Sequence, residues 1–357
     1  MRDIFFIMPA LTGGGAERVV SILANYFVNQ CNVTVCLVEK DTVDYTLDSR
    51  ISINTSALGS ERRGIGKVFS KLISIRKWML EHPDAVFISF MDNENILTSF
   101  ASVGLPVRVV LSQRNDPFQT LKNHILKCMT FSAYKLNACK SIVFQTEGAK
   151  EFYPESIQKK GRIILNPLKE NLPEPFDGTR SKRIVSVARL EPQKNYPMLI
   201  TAFSEFYKLH PDYVLEIYGE GTEKENLLSL TRQLGIEGSV VFCGFEKSIH
   251  EKILDASMFV LASDYEGLSN AMLESLALGL PTICTDCSPG GARMVIQSGQ
   301  NGLLVPVRAT NELCAAMCEV AENHTLAEHL SHEAVSIRKE LCIQEISRQW
   351  ESLLEEL

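Results

Sequence analysis

The stretch Asp264–Thr282, DYEGLSNAMLESLALGLPT, directly follows the apolar run ASMFVLAS and decides how the rest of the chain is read. An uninterrupted apolar run of that length fits a strand buried on both faces, which puts Glu266 in a tight loop at the strand's carboxyl end. Glu274 then lies in the helix that follows. Ser269 or Asn270 can cap this helix, Ala271, Leu273, Leu276, Ala277 and Leu278 supply its packing face, and Gly279 with Pro281 ends it. At about 100° per residue the two acids cannot share one helical stripe, so they are not partners in one ion bridge. One faces the crevice above the sheet, and the other sits a turn further in.

Short apolar strands alternate with longer amphipathic segments along the chain: IFFIMPA then AERVVSILANYFVN, VTVCLVE, AVFISF, VRVVLS, SIVFQT and RIILN. After NPLKENLPEPFDGTRSK the rhythm restarts with RIVSVARL, YVLEIYGEG, VVFCGF, MFVLAS, PTICTD and GLLVPV. This is the βα alternation of parallel sheets, so two doubly wound domains joined near residues 168–181 are expected. Ligands of such sheets bind at the carboxyl ends of the strands. A last helix, from about Cys342 to Leu357, has no strand of its own and is expected to pack back across the domains.

With 357 residues, 45% of them hydrophobic, the chain can bury two cores. Formal net charge is −7, unevenly spread: residues 1–179 hold 21 Lys+Arg against 18 Asp+Glu, and the remainder 15 against 25. A +3 half followed by a −10 half argues against a general nucleic-acid binder and leaves a mildly basic amino-terminal face suited to something anionic. The opening apolar run, Ile4–Leu11, leads into glycines and reads as a first strand, not a signal peptide. No run approaches the roughly eighteen apolar residues of a membrane-spanning helix, so a cytoplasmic protein, soluble or peripheral, is expected. Ten cysteines then fit reduced thiols, and the glycosylation-like sequences at Asn32, Asn54 and Asn323 are accidental. Cys284 with Cys287 and Cys314 with Cys318 have metal-like or redox-like spacing, but without a His-rich partner cluster they read better as small buried hydrophobes.

The loops expected at strand ends carry the chemistry. In TGGGAER, Thr12–Arg18, glycines let backbone N–H groups approach a phosphate or sugar, although Arg18 stands where a dinucleotide fingerprint needs its third glycine. In SVARLEPQKN, Arg189 and Lys194 suit a diphosphate, one as a two-pronged donor and the other as a point charge. YGEG, with Gly219, and FCGF, ending at Phe245, can admit a flat base against exposed backbone. Backbone at Gly267, Leu268 and Ser269 favours an anion at a helix start, and Glu266 and Glu274 suit the vicinal hydroxyls of a hexose and a ribose. A glycosidase also uses paired carboxylates but needs no diphosphate loop.

These blocks together, GGGAERV, SVARLEPQKN, YGEG, FCGF and above all SDYEGLSNAMLESLALGLPTI with NGLLVP behind it, resemble the retaining glycosyltransferases of family four (group 1). SQRNDP resembles the corresponding loop of bacterial members that extend polyprenyl-diphosphate-linked oligosaccharides. The resemblance implies an α/β, GT-B fold: two Rossmann-like doubly wound domains facing across a cleft. Residues 1–168 would bind the acceptor, 169–181 link, 182–340 bind the nucleotide sugar, and 341–357 pack back on the first domain. It implies that Glu266 contacts the donor sugar and Glu274 the ribose, that Arg189 and Lys194 clamp the diphosphate, and that Gly14 and Gly15 approach the donor phosphate. Glu266, Arg189 and Lys194 are then the catalytic set, with Gly219, Phe245, Gly267, Leu268 and Ser269 around the donor, and Arg18 and Arg114 as acceptor or sugar contacts. Many relatives carry a histidine where Ser112, Gln113 and Arg114 stand here, so the usual contact of that histidine is in question. No D-x-D triplet occurs, so no metal or other cofactor is expected.

The expected activity is transfer of a hexose or N-acetylhexosamine, from a UDP-sugar first among nucleoside diphosphate sugars, to a saccharide or polyprenyl-diphosphate-linked acceptor in O-antigen, lipopolysaccharide or similar polysaccharide assembly. The alternatives are a GT-B nucleotide-sugar epimerase, an NAD-dependent dehydrogenase, and a non-catalytic sugar-binding protein. Two segments bear on the partner surface. RRGIGKVFSKLISIRKWML sets Arg62, Arg63, Lys67, Lys71, Arg76 and Lys77 among apolar residues, and LKNHILKCMTFSAYKLNACK does the same with Lys122, Lys127, Lys135 and Lys140. Such basic amphipathic helices suit an anionic membrane, here the cytoplasmic face of the inner membrane.

Overall fold

The computed structural model describes residues 2–55 and 64–357. It divides into two units, Met1–Pro167 with Ile343–Leu357, and Leu168–Cys342. The first holds β1 (Asp3–Met8), β2 (Asn32–Leu37), β3 (Ser52–Thr55), β4 (Val86–Phe90), β5 (Arg108–Ser112), β6 (Cys139–Phe144) and β7 (Gly161–Ile163). These form one parallel sheet in the order β3-β2-β1-β4-β5-β6-β7. The second holds β8 (Ser181–Val187), β9 (Val214–Tyr218), β10 (Val240–Gly244), β11 (Ala256–Leu261), β12 (Thr282–Thr285) and β13 (Leu303–Val305), parallel in the order β10-β9-β8-β11-β12-β13. Both are Rossmann-like, and each strand order reverses once, at β1/β4 and at β8/β11. That reversal opens a crevice at the carboxyl ends of the strands.

The continuous apolar runs follow from helices on both faces of each sheet. Phe5, Ile7, Phe87, Val109, Leu111 and Ile142 lie in one core, and Ile184, Leu215, Ile217, Met258, Val260 and Ile283 in the other. β3 has no such run. Its residues SINT are exposed or half-buried at the sheet edge, paired with β2 from Thr34↔Ser52 onward, so no apolar pattern announces it.

The helix Ile343–Glu355 belongs to the first unit, so the chain passes from one unit to the other and returns. It buries Ile346, Trp350, Leu353 and Leu354, and the Trp350 ring stacks on Phe90 with centroids 5.9 Å apart. Arg2 donates to the Leu354 carbonyl, and Arg162 pairs with Glu356 at 2.7 Å.

The helix Ile65–Glu81 corrects one expectation. Lys71 is buried, pairing with Glu39 at 2.5 Å and with the buried Glu94 at 3.2 Å. Arg76 donates to the carbonyls of Ala101 and Val103 at 2.7 and 2.9 Å. Neither is part of a solvent-facing cationic stripe, because carboxylate and carbonyl partners distant in sequence draw them inward. Lys77 remains exposed, and Ile65, Val68, Phe69, Ile73 and Leu80 form an exposed apolar set. Arg62 and Arg63 lie outside the described residues. On the helix His124–Lys135, Ile125 and Met129 are exposed, while the Lys127 ammonium sits 4.5 Å from the centroid of Phe152. No helix among the described residues is long and apolar enough to cross a membrane.

Candidate active site

In the second unit the loops after β8 and β11 are stitched together at the point where the strand order reverses. Beyond β8 the chain turns through Pro192–Lys194 and reaches Asn195, whose left-handed backbone (φ 46°) lets its side chain cap the helix Tyr196–Leu209. The same side chain donates to Asp264 Oδ1 at 2.8 Å, and Arg308 holds the other Asp264 oxygen at 3.1 Å. Gln193 accepts from the Asp264 N–H at 2.9 Å and donates to the Tyr265 carbonyl at 2.8 Å. These bonds align the two loops, and across them the Lys194 ammonium pairs with the Glu266 carboxylate. Lys194 is buried, Glu266 half-buried and Arg189 exposed on the same loop. Two of the residues expected to serve the donor thus meet directly, with a guanidinium nearby in sequence.

Two glycines make the surrounding layer possible. A Cβ on Gly291 would lie 1.6 Å from the Gly267 carbonyl oxygen, and one on Gly219, at φ 139°, would lie 2.0 Å from that of Ala188. The loop after β12 therefore presses onto the Glu266 loop, where the Glu266 N–H donates to the Ser288 carbonyl at 2.9 Å. The loop after β9 likewise presses onto the Arg189 loop. Phe245, after β10, is 76% exposed, leaving its ring available for stacking.

Ser269 caps the helix Asn270–Ala277 through the Met272 N–H, and Gly279, at φ 68°, follows its end. Gly267 is half-buried, and Leu268 and Ser269 are buried at the helix entrance. Glu274 is buried one turn in, its Oε2 2.7 Å from Nε2 of His250, itself buried on the helix Ile249–Ile253. Beneath Glu266, a small cavity is lined by Ser269, Met272, Cys284 and Cys287. Burial, reinforced by the Glu266 charge, pushes the Cys287 thiol up to about 12, and burial raises Cys284 as well, in keeping with small buried side chains. His210, Cys318 and Glu322 also place ligand atoms within 4.8 Å of one another, at the far ends of their helices.

In the first unit, Gly14 precedes and Gly15 begins the helix Gly15–Phe27, and the Gly14 carbonyl accepts from Tyr45 Oη at 2.7 Å. Arg18 is half-buried one turn on. Gln113 is locked between Asp92 (2.6 Å) and Tyr134 (2.8 Å), and Ser112 accepts from Arg114 at 2.7 Å, so these side chains order the loop after β5. Arg114 is buried with them. Asn195, Gln193, Asp264, His250 and Gly291 join the site only through contacts that the sequence pattern does not mark. Asn195 and Asp264 adjoin motif residues and SPGG has turn composition, but nothing local marks His250.

Residues 169–336 match the family described as Glycosyl transferases group 1. Over 363 residues the chain is 26% identical to the GalNAc-alpha-(1->4)-GalNAc-alpha-(1->3)-diNAcBac-PP-undecaprenol alpha-1,4-N-acetyl-D-galactosaminyltransferase of Campylobacter jejuni, covering 100% of this chain and 99% of the relative. It is 27% identical to the same organism's N-acetylgalactosamine-N,N'-diacetylbacillosaminyl-diphospho-undecaprenol 4-alpha-N-acetylgalactosaminyltransferase, covering 94% of each. Among solved structures, Anabaena HepE in complex with UDP superimposes with a TM-score of 0.83 at 15% identity, over 100% of both chains. The apo lipopolysaccharide outer core galactosyltransferase WaaB does so at 0.79 and 18%, over 100% and 99%. At such identities the likeness speaks for the fold, and the two doubly wound units are those of the GT-B class.

Proposed function

We propose that this chain is a glycosyltransferase that moves a hexose or N-acetylhexosamine from a UDP-sugar to a saccharide carried on polyprenyl diphosphate, with retention at the anomeric carbon. The match of residues 169–336 to the group 1 glycosyl transferases and the full-length likeness to the Campylobacter transferases support this reading. The Lys194–Glu266 pair at the β8/β11 reversal, with Arg189 on the same loop, is the observation that carries this reading. Lys194 and Arg189 hold the diphosphate and offset the charge that grows on the departing nucleotide. Glu266 accepts from the donor sugar's hydroxyls, Glu274 from the ribose, and Phe245 and Gly219 border the base. Gly14 and Gly15 bring backbone to the donor phosphate, and Arg18 meets sugar or acceptor.

The acceptor oxygen attacks on the face that the phosphate leaves. A new C–O bond forms as the bond to phosphate breaks, and the leaving phosphate oxygen takes the acceptor's proton. No protein nucleophile is required, and Glu266 positions the donor. Side-chain cations and the helix entrance at Gly267–Ser269 take the part a metal plays elsewhere.

Support for the donor comes from HepE, which was solved with UDP, and for the acceptor from the Campylobacter relatives, whose names specify undecaprenyl-diphosphate-linked saccharides. On this reading the enzyme meets its lipid-linked acceptor at the cytoplasmic face of a membrane. The exposed apolar residues of Ile65–Glu81, with Lys67 and Lys77, form the surface that meets it.

Calorimetric titration with UDP, GDP and NAD, repeated in EDTA and on Glu274→Ala, tests the donor site. Metal-independent binding of UDP, weakened in the variant, is expected. Binding of NAD alone would overturn the transferase mechanism, and UDP binding unchanged in Glu274→Ala would overturn the ribose assignment.

A further inference from the structure

Arg114 lies above the carboxyl ends of four neighbouring strands of the first unit. Its Nε donates to Ser112 Oγ, at the end of β5, at 2.7 Å. Its Nη1 donates to Asn166 Oδ1, beyond β7, at 2.7 Å, and Gln145, beyond β6, donates to the same oxygen at 2.7 Å. Its guanidinium carbon sits 4.7 Å from the ring centroid of Phe90, the last residue of β4, whose ring stacks on Trp350. Arg114 is only 8% exposed.

Each of these partners is neutral. No carboxylate among the described residues pairs with Arg114, and its Nη2 is buried without a hydrogen-bond partner. The acid on the neighbouring loop, Asp92, is already taken, accepting from Gln113 at 2.6 Å and Asn115 at 3.1 Å. A cation taken out of water costs several kcal/mol unless an anion offsets it. Burial accordingly lowers the guanidinium to about 9, which leaves it charged at neutral pH. The protein thus holds a rigid, charged, two-pronged donor at the ligand-binding edge of a parallel sheet and supplies no anion for it.

We propose that Arg114 is the anchor of an oxyanion subsite in the first unit, completed by a phosphate group of a substrate that Nη2 engages. The identity of that substrate rests on the transferase reading. The phosphate belongs either to the diphosphate of the lipid-linked acceptor or to that of the donor. Phe90, backed by Trp350, fixes the plane of the guanidinium, and Ser112 and Asn166 fix its direction, so the fork is set before the ligand arrives.

Arg114→Met keeps the length of the stem and removes the charge, and Arg114→Lys keeps the charge and loses the fork. Thermal melting, with and without inorganic pyrophosphate, and initial rates with each substrate varied decide the matter on the full chain. Arg114→Met is expected to melt at or above the wild-type temperature, to lose part of the pyrophosphate-induced rise, and to raise one KM at least tenfold. Arg114→Lys should raise the same KM severalfold. A raised acceptor KM assigns the phosphate to the acceptor, and a raised donor KM assigns it to the donor. Lower melting with an unchanged pyrophosphate rise and unchanged KM values would make Arg114 a purely structural residue and overturn the proposal. Should Arg114→Met not fold, the Lys variant decides it by the same KM comparison. Absence of transfer by the wild type would count against the transferase reading alone, since the pyrophosphate shift tests the subsite without turnover.

Discussion

His250 Nε2 and Glu274 Oε2 meet at 2.7 Å, each residue 7% exposed, joining the helix beyond β10 to the helix beyond β11. The bond fixes which way one Glu274 oxygen points, and so, on the proposed function, how the carboxylate is presented to the donor's ribose. His250→Leu, measured by initial rates at varied donor, should raise the donor KM about tenfold, the worth of one charge-assisted hydrogen bond at roughly 1.4 kcal/mol, with little change in kcat. His250→Gln, which keeps a donor near the Nε2 position, should recover part of that loss. A fall in kcat at constant KM in both would contradict the positioning role.

Lys194 and Glu266 should separate by kinetic signature. On the proposed function, Lys194→Ala removes a cation from beside the departing diphosphate and should cost about a hundredfold in kcat, the scale of one lost oxyanion donor. Glu266→Gln should lower transfer at least tenfold while calorimetric UDP affinity stays close to wild type, because the sugar and not the nucleotide has lost its partner. Loss of UDP binding in Glu266→Gln would sink that division of labour.

Gly291→Ala places a methyl group where the Gly267 carbonyl already stands, 1.6 Å away. The loop after β12 must retreat, so urea unfolding should show roughly 1–3 kcal/mol of lost stability, together with weaker donor binding. Gly238, which has nothing within 4 Å of an added Cβ, gives the control, with Gly238→Ala near neutral.

Lys71 holds Glu39 and Glu94 at once, and the two acids respond in opposite directions. Its hydrogen bond lowers the Glu39 carboxyl below its ordinary 4.5, whereas burial raises that of Glu94 above it. Glu39 therefore adds stability that is present above 4.5 and lost as pH falls through its folded value. Glu94 subtracts stability as pH rises from 4.5 through its own folded value. Unfolding free energies measured from pH 4.5 to 7.5 should favour Glu94→Gln over wild type increasingly as pH rises. Lys71→Met should lose about 3–5 kcal/mol at neutral pH and less at pH 4.5.

Sedimentation with anionic vesicles at low salt tests the membrane surface. Wild type should bind, and Phe69→Ser with Ile73→Ser should bind several-fold less, since these exposed side chains lack a packing role that the change would damage. Failure of the wild type to bind would remove the membrane docking from the proposed function.

The sequence made most of this fold legible because strands covered on both faces must be apolar throughout, and their alternation with amphipathic segments leaves little choice but parallel sheets. β3 escaped because an edge strand with exposed side chains carries no such run. At the site, local pattern located Glu266 after a buried strand, Glu274 in a capped helix, and Lys194 on a loop after a strand. What it could not supply was contact between distant segments: the Lys194–Glu266 pair, the Asn195–Asp264 lock and the His250–Glu274 bond. Lys71 marks the same limit from the other side, since a helical projection ranks it with its exposed neighbours and only Glu39 and Glu94 reveal that it points inward.

The second unit is inserted into the first, and this has a consequence for synthesis. Trp350 is fully buried against Phe90, yet it emerges from the ribosome some 260 residues after it, by subtraction of their positions. Domains made in chain order ordinarily fold in that order. Here the amino-terminal sheet must wait with an uncovered Phe90 while the later, contiguous unit completes itself, and the first unit closes only when the last helix is released. Maturation therefore runs against the direction of translation, and premature termination anywhere before Trp350 leaves the guanidinium platform of Arg114 without its backing.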